Sequence, residues 1–202
     1  MNIVCLDLEG VLVPEIWINL ADITGIDAFR ATTRDVPDYN ELMTMRLADM
    51  DRHGLGLADI QSVVARLEPL HGARDFLDGL RADYQVIILS DTFYEFARPL
   101  MAQLGWPTLF CHSLEVSEGG RIADFHIRLE DHKRQAVESL RKLNFRVAAA
   151  GDSYNDTRML GAADQGIFFC PPEEIAGQFP QFPVTHDYGA LRQALDEAFA
   201  RT

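Results

Sequence analysis

Two carboxylates stand two residues apart near the start of the chain, in Ile3-Val4-Cys5-Leu6-Asp7-Leu8-Glu9-Gly10-Val11. The apolar run before the first acid reads as a strand buried on both faces of a parallel sheet. Acids at the end of such a strand are costly unless they carry chemistry or meet cations. A spacing of two sets both side chains on one side of a strand that stays extended. Gly10 lets the backbone turn sharply behind them. The pair suits a nucleophile, Asp7, and an acid/base partner, Glu9, that moves protons.

Such a pair needs other elements to bring it cations and binding groups. Open parallel sheets bind ligands at the carboxyl ends of their strands, and two later strands end in polar residues. Val86-Ile87-Ile88-Leu89 runs into Ser90-Asp91. Val147-Ala148-Ala149-Ala150 runs into Gly151-Asp152, with Asn155-Asp156 just beyond. Lys133 opens the helix that feeds the second of these. Asp7 and Asp152, from different strands, suit Mg²⁺, which takes few protein oxygens and keeps water and phosphate as further ligands. A serine hydroxyl and a lysine ammonium would hold the remaining phosphoryl oxygens. This is the set required by phosphoryl transfer through an aspartyl-phosphate.

Between the first strand and residue 70 no segment reads as a strand. Helical patterns begin at Pro14, over residues 39–53 and over 57–67, with residues 30–38 as a loop. Further helices are expected over 73–81, 94–104, 133–143, 155–163 and 188–200. Strands are expected over 85–90, 108–111, 147–150 and 166–170, with a possible edge strand at Val184-Thr185. Glu118-Gly119-Gly120 between two alternating segments, 112–116 and 121–127, predicts a β-hairpin. The alternation implies an α/β fold, a doubly wound parallel sheet with a hairpin. The core comprises residues 1–13 and 71–202, and a small helical cap of residues 14–70 is inserted after the first strand.

A net charge of −13 argues against a nucleic-acid partner. No apolar run reaches the length of a membrane helix, and the acids interrupt the first run too early for a signal peptide. A cytoplasmic location is the expectation. Three widely spaced cysteines, Cys5, Cys111 and Cys170, read as small buried residues in a reducing compartment. The six histidines show no metal-ligand spacing and read as structural or surface residues.

Asp7-Leu8-Glu9-Gly10-Val11, Ser90, Lys133 and Gly151-Asp152-Ser153-Tyr154-Asn155-Asp156 resemble, in order and separation, the four motifs of the haloacid dehalogenase-like phosphatases. The helical insertion resembles the small cap of the phosphoserine phosphatase branch. The stretches around Asp7, Ser90 and Asp152 are similar to the bacterial bifunctional members of that branch, which move phosphate from phosphoserine to water or to homoserine. The resemblance implies that Asp7 is the nucleophile and Glu9 the acid/base, where most relatives have Asp. It implies Mg²⁺ held by Asp7, the Glu9 main-chain carbonyl and Asp152, with Asp156 assisting. Ser90 and Lys133 would bind the phosphoryl group, and Glu15 and Arg46 the amino and carboxylate groups of the substrate. Asn155 and Asp91 join the substrate-binding set, although phosphoserine phosphatases usually carry Gly-Gly where this chain has Asp91-Thr92. The implied setting is amino-acid biosynthesis, of serine and threonine.

Simpler roles compete for several of these residues. Ser90 or Asp91 would serve as a helix N-cap, Lys133 and Arg46 as solvated side chains, and Asp156 or Glu15 as a first-turn acid on a helix dipole. Whole-chain alternatives are a phosphatase for another small phosphorylated metabolite, a receiver-type signalling domain phosphorylated on Asp7, and a non-catalytic relative.

Overall fold

The molecule, a computed structural model, is described over residues 1–33, 35, 36 and 38–200. In chain order the elements are β1 (Asn2–Leu6), α1 (Ile16–Thr24), a 3-10 turn (Asp27–Arg30), α2 (Tyr39–Arg52), α3 (Leu57–Val64), α4 (Ala73–Asp83), β2 (Gln85–Phe93) and α5 (Tyr94–Gln103). Then follow β3 (Thr108–Val116), β4 (Ile122–His126), α6 (His132–Lys142), β5 (Arg146–Gly151) and a second 3-10 turn (Tyr154–Asp156). The chain ends with α7 (Thr157–Ala162), β6 (Gln165–Phe169), α8 (Glu173–Gln178), β7 (Val184–Thr185) and α9 (Tyr188–Ala200).

The strands form one seven-stranded sheet in the order β4-β3-β2-β1-β5-β6-β7. Every pairing is parallel except β3 with β4, the hairpin. β1 lies between β2 and β5, where the strand order reverses, so its carboxyl end opens into the crevice where such sheets bind ligands.

Alternation along the strands buries both faces of the sheet. Val4, Leu6, Ala148, Ala150 and Ile167 join a layer with Leu77, Leu80, Leu100, Leu191 and Leu195 of α4, α5 and α9. Ile3, Cys5, Val147, Ala149 and Phe168 join the opposite layer with Val137, Met159, Leu160 and Ile175 of α6, α7 and α8. The helices inserted between β1 and α4 extend the first layer through Leu20, Phe29, Met43, Ile60 and Val64.

Several expected elements shift, each for a local reason. α1 starts at Ile16, beyond Pro14, because the Ile16 N–H donates to the Glu9 carboxylate at 2.8 Å. The expected loop over 30–38 overlaps the 3-10 turn at Arg30; Arg34 and Pro37 lie outside the described residues. The short strand over 108–111 and the first hairpin strand are one strand, β3, pairing with β2 at one end and β4 at the other. The helix expected over 155–163 starts with a 3-10 turn whose geometry serves Asp156. α8, only six residues long behind Pro171-Pro172, has no counterpart among the expected helices because so short a segment carries too little periodicity. Cys170 is exposed, not buried, in a left-handed conformation at φ 47° just past β6.

Candidate active site

β1 ends at Leu6, and Asp7 carries the pairing one residue further: its N–H donates to the Ala150 carbonyl at 2.9 Å. The chain then turns instead of staying extended. The N–H groups of Leu12 and Val13 both return to the Leu8 carbonyl, at 2.8 and 3.0 Å. Glu9 therefore leaves the strand direction and reaches the first turn of α1. Gly10 is required twice over. Its φ is 76°, and a Cβ there would lie 2.4 Å from the Asp152 carboxylate. The turn thus brings Asp152 against the backbone beside Asp7.

Asp7 is 4% exposed. Its Oδ1 accepts the Leu8 N–H at 2.7 Å and lies 2.9 Å from Lys133 Nζ. Asp156 is fully buried; its Oδ1 accepts from Lys133 Nζ at 2.9 Å, and its Oδ2 accepts the N–H groups of Asp152 and Ser153 at 3.0 and 3.2 Å. Gly151 permits that closeness, since a Cβ would meet the Asp156 carboxylate at 2.4 Å. Ligand oxygens of Asp7, Asp152 and Asp156 all lie within 4.8 Å of one another. Lys133, on α6 and 4% exposed, is their central cation.

The electrostatics follow from burial. Burial, reinforced by Asp156 and Asp152 and only partly offset by Lys133, raises the Asp7 carboxyl well above the usual range. Burial and the neighbouring Asp156 push Asp152 up to about 7. Burial and the charge of Glu15 push Glu9 up to about 8, despite its bond from the Ile16 N–H. Lys133 goes the other way: burial opposes its charge, but Asp156, Asp7 and Asp91 raise it well above the ordinary lysine value. The centre carries more anions than its single lysine can balance.

Ser90 and Asp91 owe their positions to an irregularity in the sheet. Leu89 pairs with Phe110 and Phe93 with His112, so β2 spends two more residues than β3 over that span. Such bulges re-aim side chains. Ser90, 2% exposed, and Asp91 lie within β2, and the N-cap of α5 is Phe93, so neither residue caps a helix. Asp91 Oδ2 accepts from Asn155 Nδ2 at 2.9 Å and lies 3.6 Å from Lys133 Nζ. Asp91 Oδ1 faces His132 Nε2 at 3.0 Å. Asn155 is thereby tied to the centre.

The inserted helices supply the opposite wall. Arg46 of α2 is 7% exposed, stacked 4.3 Å from the centroid of the Trp17 ring, and is no solvated side chain. One amino group donates to the Ala31 carbonyl at 2.9 Å, while its Nε is buried without a hydrogen-bond partner among the described residues. Burial lowers it to about 10 against the pull of Tyr39, Glu9 and Glu15. Glu15, exposed at the N-cap of α1, makes no capping bond with its side chain and faces Glu9 instead. The fold thus links nine of the ten expected site residues through contacts or charge, with Ser90 next to Asp91 in β2. Sequence patterns missed three contributors. Tyr39 donates its hydroxyl to the Asp91 carbonyl at 2.5 Å, and His112 and His132 back Asp91. They come from three separate elements, so no local spacing announces them.

A family model described as haloacid dehalogenase-like hydrolase matches residues 1–164. The chain belongs to the haloacid dehalogenase-like hydrolases. Within this family it is 56% identical over 202 residues to phosphoserine phosphatase ThrH of Pseudomonas aeruginosa, covering 100% of this chain and 98% of that protein. It is 55% identical over 201 residues to a phosphoserine phosphatase of Pseudomonas syringae pv. tomato, covering 100% of this chain and 85% of the relative. Among solved structures, a substrate-bound phosphoserine phosphatase complex superposes with a TM-score of 0.77 at 19% identity, covering 97% of both chains. A phospho-aspartyl intermediate analogue of phosphoserine phosphatase gives 0.76 at 20% identity, covering 97% of this chain and 98% of that one. These superpositions extend the hydrolase fold over nearly the whole chain. No described helix is long and apolar enough to cross a membrane.

Proposed function

We propose that this hydrolase is a Mg²⁺-dependent phosphoserine phosphatase that also transfers phosphate from phosphoserine to homoserine, through an aspartyl-phosphate on Asp7. The observation that carries the reading is the buried Asp7–Lys133–Asp156 centre beside Glu9, in a chain 56% identical over its length to a phosphoserine phosphatase.

The residues fit a hard divalent cation. Asp7, Asp152 and Asp156 offer only oxygen donors within 4.8 Å of one another, and the raised carboxyls of Asp7 and Asp152 mark an uncompensated negative charge. Asp7, Asp152 and the Glu9 main-chain carbonyl would hold Mg²⁺, with Asp156 in support. When bound, the ion supplies positive charge to the phosphoryl oxygens and keeps Asp7 ionised.

Asp7, gripped through Oδ1 by Lys133 and the Leu8 N–H, attacks phosphorus. Glu9, held near pH 8 by burial, is protonated at neutral pH and gives its proton to the leaving serine oxygen. Lys133 and Ser90 bind phosphoryl oxygens. The Nε of Arg46, without a partner among the described residues, is a donor that the substrate carboxylate would take up; Glu15 would receive the ammonium. Glu9, now a base, takes a proton from water or from the homoserine hydroxyl as that oxygen attacks the aspartyl-phosphate. Residues 14–70 act as a cap that excludes bulk water in the first step.

The test is a panel of phosphorylated metabolites with Mg²⁺, with and without homoserine, followed by ³¹P NMR. The expected result is release of phosphate from phosphoserine and formation of phosphohomoserine when homoserine is present. Preference for a sugar or nucleotide phosphate would overturn the substrate, and phosphate release with no phosphohomoserine would overturn the transfer.

A further inference from the structure

Behind Asp91 lies a second layer that the proposed chemistry does not use. His112 of β3 and His132, the first residue of α6, are each 2% exposed, with ring centroids 4.6 Å apart. Their Nε2 atoms lie 3.8 and 3.0 Å from the same oxygen, Asp91 Oδ1. Two imidazoles and one carboxylate with ligand atoms within 4.8 Å are, by composition, a donor set for a transition metal.

The far side of each ring decides otherwise. His112 Nδ1 accepts the backbone N–H of Arg128 at 3.3 Å. His132 Nδ1 faces Arg128 Nη2 at 3.2 Å, and a guanidinium only donates. A neutral imidazole has one N–H, so with Nδ1 accepting, each ring carries its proton on Nε2, towards Asp91. Metal ligation through Nε2 would require that proton on Nδ1, where a donor already points.

We propose that His112 and His132 are positioning residues: two neutral imidazoles, set in the Nε2–H form by Arg128, that hold Asp91 as an anion aimed at Asn155 and Lys133. The proposal rests on the roles given above to Asn155 and Lys133 in binding substrate. With Oδ1 facing the rings, Asp91 turns Oδ2 to the Asn155 amide at 2.9 Å and to Lys133 Nζ at 3.6 Å. That orients the amide and gives the lysine a third acidic neighbour beside Asp7 and Asp156. The Tyr39 hydroxyl fixes the Asp91 main chain from the other side. Burial alone would raise the Asp91 carboxyl; Lys133 and the two imidazoles instead hold it well below the usual range, and burial lowers His132 towards its neutral form.

Arg128 acts on the two rings by different atoms, which separates them experimentally. Long-range ¹H–¹⁵N NMR of the histidine-labelled full-length protein at neutral pH is expected to show both rings neutral and protonated on Nε2. His112→Gln and His132→Gln assign the signals. Arg128→Met should loosen the His132 preference alone, because His112 is set by a main-chain N–H. In kinetics, His132→Leu should lower kcat/KM for phosphoserine by about tenfold or more, and His132→Gln, which donates from a similar place, should recover most of it. Protons on Nδ1, cationic rings, or Leu and Gln variants with equal kinetics would overturn the proposal. So would tight Zn²⁺ or Co²⁺ binding lost in both Gln variants, which would make this a metal centre. The tautomers are read without substrate, so failure to turn over phosphoserine would overturn the substrate reading and leave the proton assignment standing or falling on its own.

Discussion

Two clusters of three potential ligands sit side by side in this molecule, bridged by Lys133, and they are electrostatic opposites. Asp7, Asp152 and Asp156 crowd around one lysine, and burial leaves Asp7 and Asp152 with raised carboxyls. Asp91 faces two imidazoles, the lysine and an amide, and its carboxyl is lowered. The first group lacks positive charge; the second already has its donors. Closeness of ligand-type side chains does not make a cation site. What stands behind each ligand does, because a donor on the far ring nitrogen or a carboxylate across the gap sets which protons are present.

The largest test of the contrast is Asp7→Asn, which removes the proposed nucleophile and one of the crowded charges together. Phosphate release should fall by at least about 10⁴-fold while circular dichroism stays native; turnover above background would end the nucleophile assignment. Glu9→Gln should slow both serine release and breakdown of the aspartyl-phosphate, by roughly 10²–10⁴-fold in rapid-quench experiments. An unchanged rate at neutral pH would remove it as acid/base. Gly10→Ala should push Asp152 out of place and weaken Mg²⁺ binding about tenfold or more by calorimetry. Gly54→Ala is its control: φ is 67° but nothing lies within 4 Å of the added Cβ, so it should cost about 1 kcal/mol of stability and leave Mg²⁺ binding alone.

The smallest effect is on stability against pH. Asp152 and Glu9 hold protons in the folded protein up to about 7 and about 8, which the unfolded chain loses near pH 4. Their folded values are raised, so the stability they contribute is present at low pH and is lost as pH climbs through 7 and 8. The metal-free protein should therefore melt on the order of 5 °C lower at about pH 9 than at about pH 6, and saturating Mg²⁺ should flatten that slope. A flat profile without metal would mean that Asp152 and Glu9 are already compensated, as Asp91 is.

Much of this was legible in the residues. The apolar run into Asp7, the strand-end polar residues and the period-two segments around Gly119-Gly120 announced the sheet, its binding edge and the hairpin, because each depends on local pattern. The candidates Asp7, Glu9, Ser90, Lys133 and Asp152 were legible for the same reason, since strand ends and helix starts are local features, whereas Glu15 and Arg46, the latter in the middle of α2, came only from the family resemblance. Asp91 was legible as an oddity only. Its place depends on a bulge in β2, and its partners come from β3, α6 and α2, so nothing near it in sequence reveals them.

By itself the sequence determined the chain order of the helices other than α8, most of the strands, and the types of group placed at the strand ends, since burial periodicity and turn chemistry act over a few residues. Only the tertiary structure decided how those groups are charged. It turned Glu9 away from the strand and onto the N-terminus of α1, left Arg46 Nε without a partner among the described residues, and put Arg128 behind two histidines that showed no pattern. Proton positions depend on which neighbours burial brings within about 4 Å, and those neighbours lie far apart along the chain.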